Sequence, residues 1–599
     1  MKIVKKIFDL LNLTKNNQYF ILFSLILFTA LLDILGVASI FPFVSILVNP
    51  QLIETNNVFA YFYKTLTLFG VSGVQQFTFI VGITTFVLLI LSSIFRIITN
   101  YNQINFILKL ESGISKYLIQ SYLYRPYVWF LKQNSADLGR NILSEVSHVV
   151  SGTLMPTLVI FSQSLVIFLL FFLLCFSNFI IATSVGLIFG LSYLSIFYFT
   201  KNFLSRIGNE RLKANKERFM EVGEAFNAIK EIKYKGLEQT YINRFTKPMQ
   251  SYVRSQFLFE GTAYLPRYFI EGIAFGGMII LILVLISHNV SIINIIPYIA
   301  LYAFAGYRLM PALQQVYMSL TQLRFIAPNL DALHKDLMNS KFAEDLKIRE
   351  KSVMQINKFI KLKNIYYNYP DAKKISLQNI SLTIPIFSKV GIIGPSGSGK
   401  TTLIDIILGL LEADSGTINV DDKIITNKNK ITLQNSIGYV PQQIYLTDNS
   451  VAVNIAFGVN IKDINRESLE NAAKNANLHN FITQELPQGY ETVIGERGAR
   501  LSGGQKQRIG IARALYHNPQ ILILDEATNA LDNLTEQVVI EAIENLKRKI
   551  TVIIISHRLN IVKNCDIIFL LDKGQLIAQG TYRELVQSNK IFEKMAKID

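Results

Sequence analysis

The chain has 599 residues, 50% of them hydrophobic and 12% aromatic against only 17% charged, which is too apolar for an ordinary soluble protein and too long for one core. Its formal charge of +16 could serve nucleic acid, but in a membrane protein the same excess arises from Lys and Arg retained on the cytoplasmic side, so no nucleic-acid partner is expected. Two cysteines, Cys175 in an apolar run and Cys565 in a globular stretch, exclude a disulfide framework and a paired-cysteine metal site.

The opening "MKIVKKIFDLLNLTKNNQ" has no small-residue cleavage site behind a short apolar core and reads as a cytoplasmic lead-in. A bilayer core takes about 20 apolar residues of helix. Six stretches meet that length, near residues 19–48, 77–98, 150–176, 179–200, 264–287 and 292–312. The linkers after the first, third and fifth contain almost no Lys or Arg, whereas those after the second and fourth are dense in them. Both termini are therefore expected inside. Between the first two spans, "NNVFAYFYKTLTLFG" (56–70) sets Phe59, Phe62, Leu66 and Phe69 on one helical face. That suits a helix lying in the outer interface or an apolar loop packed on the bundle. Ser177 and Asn178 alone separate spans three and four, which forces a tight outer hairpin.

The inner linkers, roughly 99–149 and 201–263, have few Gly or Pro breaks and read as helical arms. If half of each goes out and half returns, they reach about 35–45 Å beyond the membrane. Near their tips lie the amphipathic stretches "SYLYRPYVWFLKQNSADLG" (121–139) and "GEAFNAIKEIKYKGLEQTYINRF" (223–245), which read as docking regions or as solvated helices with one apolar face. The composition then changes, giving a membrane domain over 1–330, a linker over 331–355 and a globular domain over 356–599.

In "KVGIIGPSGSGKTTLIDIILGL" (389–410) an apolar strand runs into a phosphate-binding loop and then into an apolar helix. Gly394, Pro395, Ser396, Gly397, Ser398 and Gly399 form the loop; Gly394, Gly397 and Gly399 let backbone N–H groups close round phosphates at a helix N-terminus. Lys400 is expected to reach the β and γ phosphates, Thr401 to ligate Mg²⁺ and Thr402 to complete the nucleotide contacts. Downstream, "ILILDE" (521–526) is a buried strand ending in two carboxylates, Asp525 placed to hold the Mg²⁺ shell and Glu526 to polarise the attacking water.

With "LSGGQKQRIGIARAL" (501–515) the second half resembles the ABC ATPase family. The resemblance implies ATP and Mg²⁺ as cofactors, and it carries roles over by position. Tyr369 in "YYNYP" matches the aromatic that stacks on adenine, and Gln442 in "GYVPQ" the glutamine that senses Mg²⁺. Ser502, Gly503, Gly504 and Gln505 match the signature that contacts a nucleotide held by the other subunit. Asp532 in "NALD" matches the D-loop, His557 in "IIISHRL" the switch histidine, and Glu496 in "GERG" the acidic residue that meets the opposite subunit's arm. Asn529 departs from the usual Ser at the start of the D-loop. Catalysis is thus expected to rest on Lys400, Gln442, Glu526 and His557. A signature that completes another subunit's site implies a homodimer, with a heterodimer left open.

A fused membrane half with long arms resembles a type I ABC exporter: a six-helix membrane bundle joined to an α/β P-loop ATPase domain, in the bacterial inner membrane with the ATPase domain cytoplasmic. Arg96, Arg267 and Arg308 lie at similar expected depth, and Glu271 is one turn from Arg267. They read as interfacial anchors or as a ring for a phosphate-bearing head group. The stretches "LPRYFIEGIAF" (265–275) and "YRLMPAL" (307–313), with Arg96 and the external helix, resemble PglK-type flippases of lipid-linked oligosaccharides. That resemblance implies membrane lipids as partners and an undecaprenyl-pyrophosphate oligosaccharide, used for protein glycosylation or a similar surface pathway, as the substrate moved to the outer leaflet. A multidrug or lipid A exporter shares every ATPase motif and stays open. So does a channel or regulator on the same frame. A peptide exporter often carries an N-terminal peptidase domain, and about 18 residues precede the first span here. A non-transport ABC ATPase would lack the spans.

Overall fold

The computed structural model describes the chain except residues 1, 13–18, 69–70, 72, 178, 288–291, 339–351, 371, 373, 528–540, 542–549 and 599, together with most side chains between 277 and 298. Asn529 and Asp532 therefore lie outside the described residues. Two compact units are present: residues 1–125 with 132–346, and residues 126–131 with 347–599.

In chain order the helices up to residue 338 are α1 (Lys2–Asn12), α2 (Tyr19–Ala38), α3 (Ile40–Val48), α4 (Leu52–Thr55), α5 (Asn57–Thr67), α6 (Val74–Leu123), α7 (Tyr127–Phe130), α8 (Ser135–Arg140), α9 (Val146–Ser177), α10 (Phe179–Asn227), α11 (Ile229–Lys235), α12 (Glu238–Ser287) and α13 (Ile292–Met338). All but α7 belong to the first unit. Among the described residues, four stretches are long and apolar enough to cross a membrane: 19–48, 74–123, 135–176 and 182–227. The expected fifth and sixth spans lie within α12 and α13, where many side chains are outside the described residues.

Spans and arms are continuous helices. The 50 residues of α6 extend about 75 Å at 1.5 Å per residue, far more than a bilayer of about 30 Å needs. The boundary expected at residue 330 falls inside α13, which continues to Met338. The cause is a helical apolar stripe that does not stop at 330: Leu330, Leu333 and Leu337 are all buried. At the inner tips, Pro126 separates α6 from α7, and α11 stops at Gly236, whose φ of 63° a glycine adopts without steric cost.

Of residues 56–70, Asn57–Thr67 form a helix, and Phe62, expected on its packed face, is exposed. Asn56 caps α5 by accepting from Val58 N–H, and Phe59, Tyr63 and Leu66 pack on Ile46, Ile53 and Phe77. Phe69 lies outside the described residues. Helix pairs approach closely where glycine allows: a Cβ on Gly208 of α10 would sit 2.0 Å from the Phe325 carbonyl oxygen of α13.

The second unit holds two sheets. One is antiparallel, β2 (Leu377–Pro385), β1 (Phe359–Tyr367), β4 (Ser415–Val420) and β5 (Lys423–Ile424) in spatial order. The other runs β10 (Gln575–Gly580), β9 (Ile567–Asp572), β3 (Lys389–Ile393), β8 (Thr551–Ile555), β7 (Ile521–Asp525) and β6 (Ile437–Val440), parallel except for β10. Every residue of β3, β7 and β8 is buried, which explains why these strands read as unbroken apolar runs. Val128 of α7 packs against the core formed by Leu403, Ile404 and Ile407, so the tip of the first arm is a structural part of this unit.

Candidate functional site

Four adjacent parallel strands, β3, β8, β7 and β6, deliver the nucleotide-site candidates from their carboxyl ends, where open α/β sheets place ligands. After β3 comes the loop 394–399, after β8 Ser556 and His557, after β7 Glu526, and after β6 Gln442.

The loop is shaped by glycine. Gly399 has φ 100°, and a Cβ there would lie 2.9 Å from the Ser376 carbonyl; a Cβ on Gly394 would lie 2.1 Å from the Leu571 carbonyl. The chain then enters α14 (Lys400–Ile407). Lys400 Nζ donates to the Gly394 and Pro395 carbonyls at 2.9 and 3.0 Å, and burial lowers its pKa against the opposing pull of Glu526 and Asp525. Ser398 Oγ is buried without a hydrogen-bond partner among the described residues. An ammonium hydrogen-bonded to two neutral carbonyls, a buried hydroxyl unpaired among the described residues and a helix N-terminus fit a polyphosphate. Thr401, Asp525 and Gln442 would offer the hydroxyl, carboxylate and amide oxygens that suit Mg²⁺.

Glu526 lies at the centre of the side-chain chemistry. It adopts φ 48°, a left-handed conformation costly for a glutamate, and its N–H donates to Ile555 O at 3.0 Å. One carboxylate oxygen lies 2.6 Å from His557 Nε2, and the other accepts from Gln442 Nε2 at 2.7 Å. The fold thus joins three residues that sequence treats as separate roles. The arrangement can hold a water against Glu526 and report on it through Gln442 and His557.

Neighbouring Asp525 accepts from Tyr439 OH at 3.1 Å. Burial raises its pKa, Tyr439 lowers it, Glu526 raises it and Lys400 lowers it. Tyr439 was hidden inside the quoted "GYVPQ"; its signal is a lone phenol in an apolar strand. Asp405 on α14 was also missed, although an acid inside "TTLIDIILGL" is conspicuous; burial and then Asp525 push its carboxyl up to about 6. Tyr369 OH shares a hydrogen bond with Thr402 Oγ1 at 3.2 Å, which sets the ring beside the start of α14. Ser502 and Gln505 close a capping box on the helix Gly503–Leu515, with Ser502 and Gly503 exposed and Gly504 buried. Glu496 begins a short 3-10 turn.

In the first unit, Arg96 Nη2 donates to Asp33 Oδ2 at 2.6 Å, and Arg308 Nη1 lies 3.9 Å from Asp33 Oδ1. Ser92 Oγ also donates to Asp33. Arg267 instead pairs with Glu271 at 2.7 Å along its own helix. Its height is nonetheless similar to that of Arg308. Gln314 donates to Ala263 O at 3.0 Å, fixing the register of α13 on α12, and from there Arg308 and Arg267 lie about 9 and 6 Å along their helices at 1.5 Å per residue. Asp33 escaped the sequence reading, though a lone carboxylate in "FTALLDILGVAS" is expensive inside a membrane span and flags itself on that ground.

Two family models match the chain: ABC transporter over residues 377–529 and ABC transporter transmembrane region over 25–311. Among curated relatives, the mouse protein named ATP-binding cassette sub-family B member 10, mitochondrial, is 42% identical over 257 residues, covering 42% of this chain and 35% of that protein. The ATP-dependent lipid A-core flippase of Haemophilus influenzae is 39% identical over 236 residues, covering 39% of this chain and 40% of the relative. The chain thus spans less than half the length of these relatives. The structure of a bacterial Atm1-family ABC exporter with ATP bound superposes with a TM-score of 0.73 at 21% identity, over 97% of this chain and 99% of that one. Between them the two family models match more than half of the residues, and the chain belongs to the ABC transporter family, with the type I exporter fold.

Proposed function

We propose that the protein is an ATP-driven flippase that moves a lipid-linked oligosaccharide, carried on undecaprenyl pyrophosphate, from the inner to the outer leaflet of the bacterial inner membrane, working as a homodimer. The observation that carries the substrate reading is the meeting of Arg96 and Arg308 at one carboxylate inside the membrane domain, which leaves an excess positive charge that suits an anionic cargo. Arg267, close in height, adds a further guanidinium, with Glu271 orienting it. Guanidinium forks suit phosphate oxygens.

In the ATPase domain, Lys400 exchanges its two carbonyl partners for phosphate oxygens, Glu526 orients and polarises the attacking water, and Gln442 and His557 hold Glu526 in place. Thr401 and Asp525 would hold Mg²⁺, which would neutralise charge on the phosphates. Tyr369 stacks on the base, Asp532 belongs to the dimer contact, and Ser502 to Gln505 close the partner copy's site, as the family resemblance implies.

The test is ATP-dependent translocation of a fluorescent lipid-pyrophosphate oligosaccharide in proteoliposomes, with Glu526→Gln as the inactive control. Transport that stops in the control supports the reading; ATP hydrolysis without such transport removes it. A second reading, a lipid A-type or multidrug exporter, is favoured by the relative named lipid A-core flippase. It predicts hydrolysis stimulated by lipid A or hydrophobic drugs instead.

A further inference from the structure

Asp33 is 3% exposed and accepts from Ser92 and Arg96, with the Arg308 guanidinium 3.9 Å away, yet the flippase reading assigns it no chemistry of its own. Its position is fixed by close packing of α2 on α6. Thr29 and Thr99 share a hydrogen bond at 2.7 Å, Phe28 and Phe95 meet edge to face at 4.8 Å, and a Cβ on Gly36 would lie 3.1 Å from Leu89. The carboxylate therefore cannot follow a ligand.

The arginines are less confined: the Arg96 side chain is 46% exposed and that of Arg308 17%. Each guanidinium has five N–H donors, and Asp33 occupies only part of this set. We propose that Asp33 is the positioning and counter-charge residue of an anion site formed by Arg96 and Arg308, and that this site takes the phosphate or diphosphate head group of a lipid. The identity of the lipid tail rests on the flippase reading; the anion chemistry does not. Asp33 holds the Arg96 fork in a fixed orientation, which spares the ligand that ordering cost. It also opposes the incoming anion, so that the head group binds loosely enough to be released. At an effective dielectric near 20 and a separation of several ångströms, that opposition is worth a factor of about ten or more in affinity.

The test uses the full chain in detergent and a fluorescent geranylgeranyl diphosphate, with lauryl phosphate and inorganic pyrophosphate as competitors. Asp33→Asn should bind the probe about tenfold more tightly than wild type, and Arg96→Gln or Arg308→Gln about tenfold more weakly. Asp33→Asn binding equally or more weakly, with its melting temperature unchanged, overturns the proposal. If Asp33→Asn does not fold, the charge-balanced Asp33→Asn/Arg96→Gln protein decides: affinity near wild type supports the counter-charge role, and affinity as low as in Arg96→Gln alone refutes it. Competition by lauryl phosphate but not by pyrophosphate identifies a lipid head group. Equal competition by pyrophosphate assigns the site to free phosphate and overturns the lipid part. Failure of the probe to bind wild type overturns the site. Asp33-dependent binding without oligosaccharide transport leaves the anion site standing and removes the flippase reading alone.

Discussion

The nucleotide site and the membrane arginine cluster both hold carboxylates beside cations, but they are built in opposite ways. Asp525, Glu526 and Lys400 are placed by backbone: short segments after two buried strands of one parallel sheet and a loop shaped by glycine. Asp33, Arg96 and Arg308 are placed by side chains on three separate helices, α2, α6 and α13. The first kind of site is written as contiguous motifs. The second exists only once the helices have packed.

Substitutions can break or sharpen this contrast. The largest effect is expected at Glu526, where Gln removes the carboxylate proposed to hold the water: ATP turnover should fall at least about 100-fold while nucleotide binding persists, as measured by steady-state hydrolysis and equilibrium binding. Loss of both together would mean that Glu526 shapes the site rather than acting in it.

Next, Gly394→Ala forces a methyl group to within 2.1 Å of the Leu571 carbonyl, so the loop must move. The expected cost is about 3 kcal/mol, seen as a lowered melting temperature of the ATPase domain with loss of nucleotide binding. A neutral result would show that the loop is not fixed by its backbone.

Asp405 offers a pH test. Its carboxyl is raised to about 6 in the fold from an ordinary value of 3.8, chiefly by burial. The folded state thus holds a proton that the unfolded chain has released, and stability falls as pH rises through that window. Asp405→Asn removes the penalty. It should stabilise the protein by about 1 to 3 kcal/mol at pH 8 and by less at pH 5, measured by thermal unfolding in chelator without nucleotide.

The smallest effect is expected from Tyr439→Phe. Loss of the hydrogen bond to Asp525 removes an influence that favours the ionised carboxylate, so the acidic limb of the hydrolysis profile should move to higher pH, with a rate loss of roughly tenfold or less near neutrality. An unchanged profile would show that Asp525 does not titrate in the working range.

What the sequence made legible follows the same division. The strand–loop–helix order around "GPSGSGKTT" and the carboxylates of "ILILDE" were readable because each chemical role occupies neighbouring residues. The joint hold of Gln442 and His557 on Glu526 was not, since it needs β6 and β8 on either side of β7. Four spans were readable from length and hydropathy among the described residues, but their inner ends were not: one unbroken α6 serves both span and arm, and the buried leucines of α13 run past the expected boundary. Depth alone put Arg96, Arg267 and Arg308 in one group. Side-chain contacts divide them, two at Asp33 and one at Glu271, because pairing depends on which helix faces which.

In the proposed function, an anionic lipid recognised at these arginines drives hydrolysis at Glu526. The most direct test is the ratio of ATP hydrolysis with and without lipid-pyrophosphate oligosaccharide in nanodiscs, compared between wild type and Arg96→Gln/Arg308→Gln. Several-fold stimulation is expected in wild type and a ratio near one in the double variant. Equal stimulation in both would contradict it.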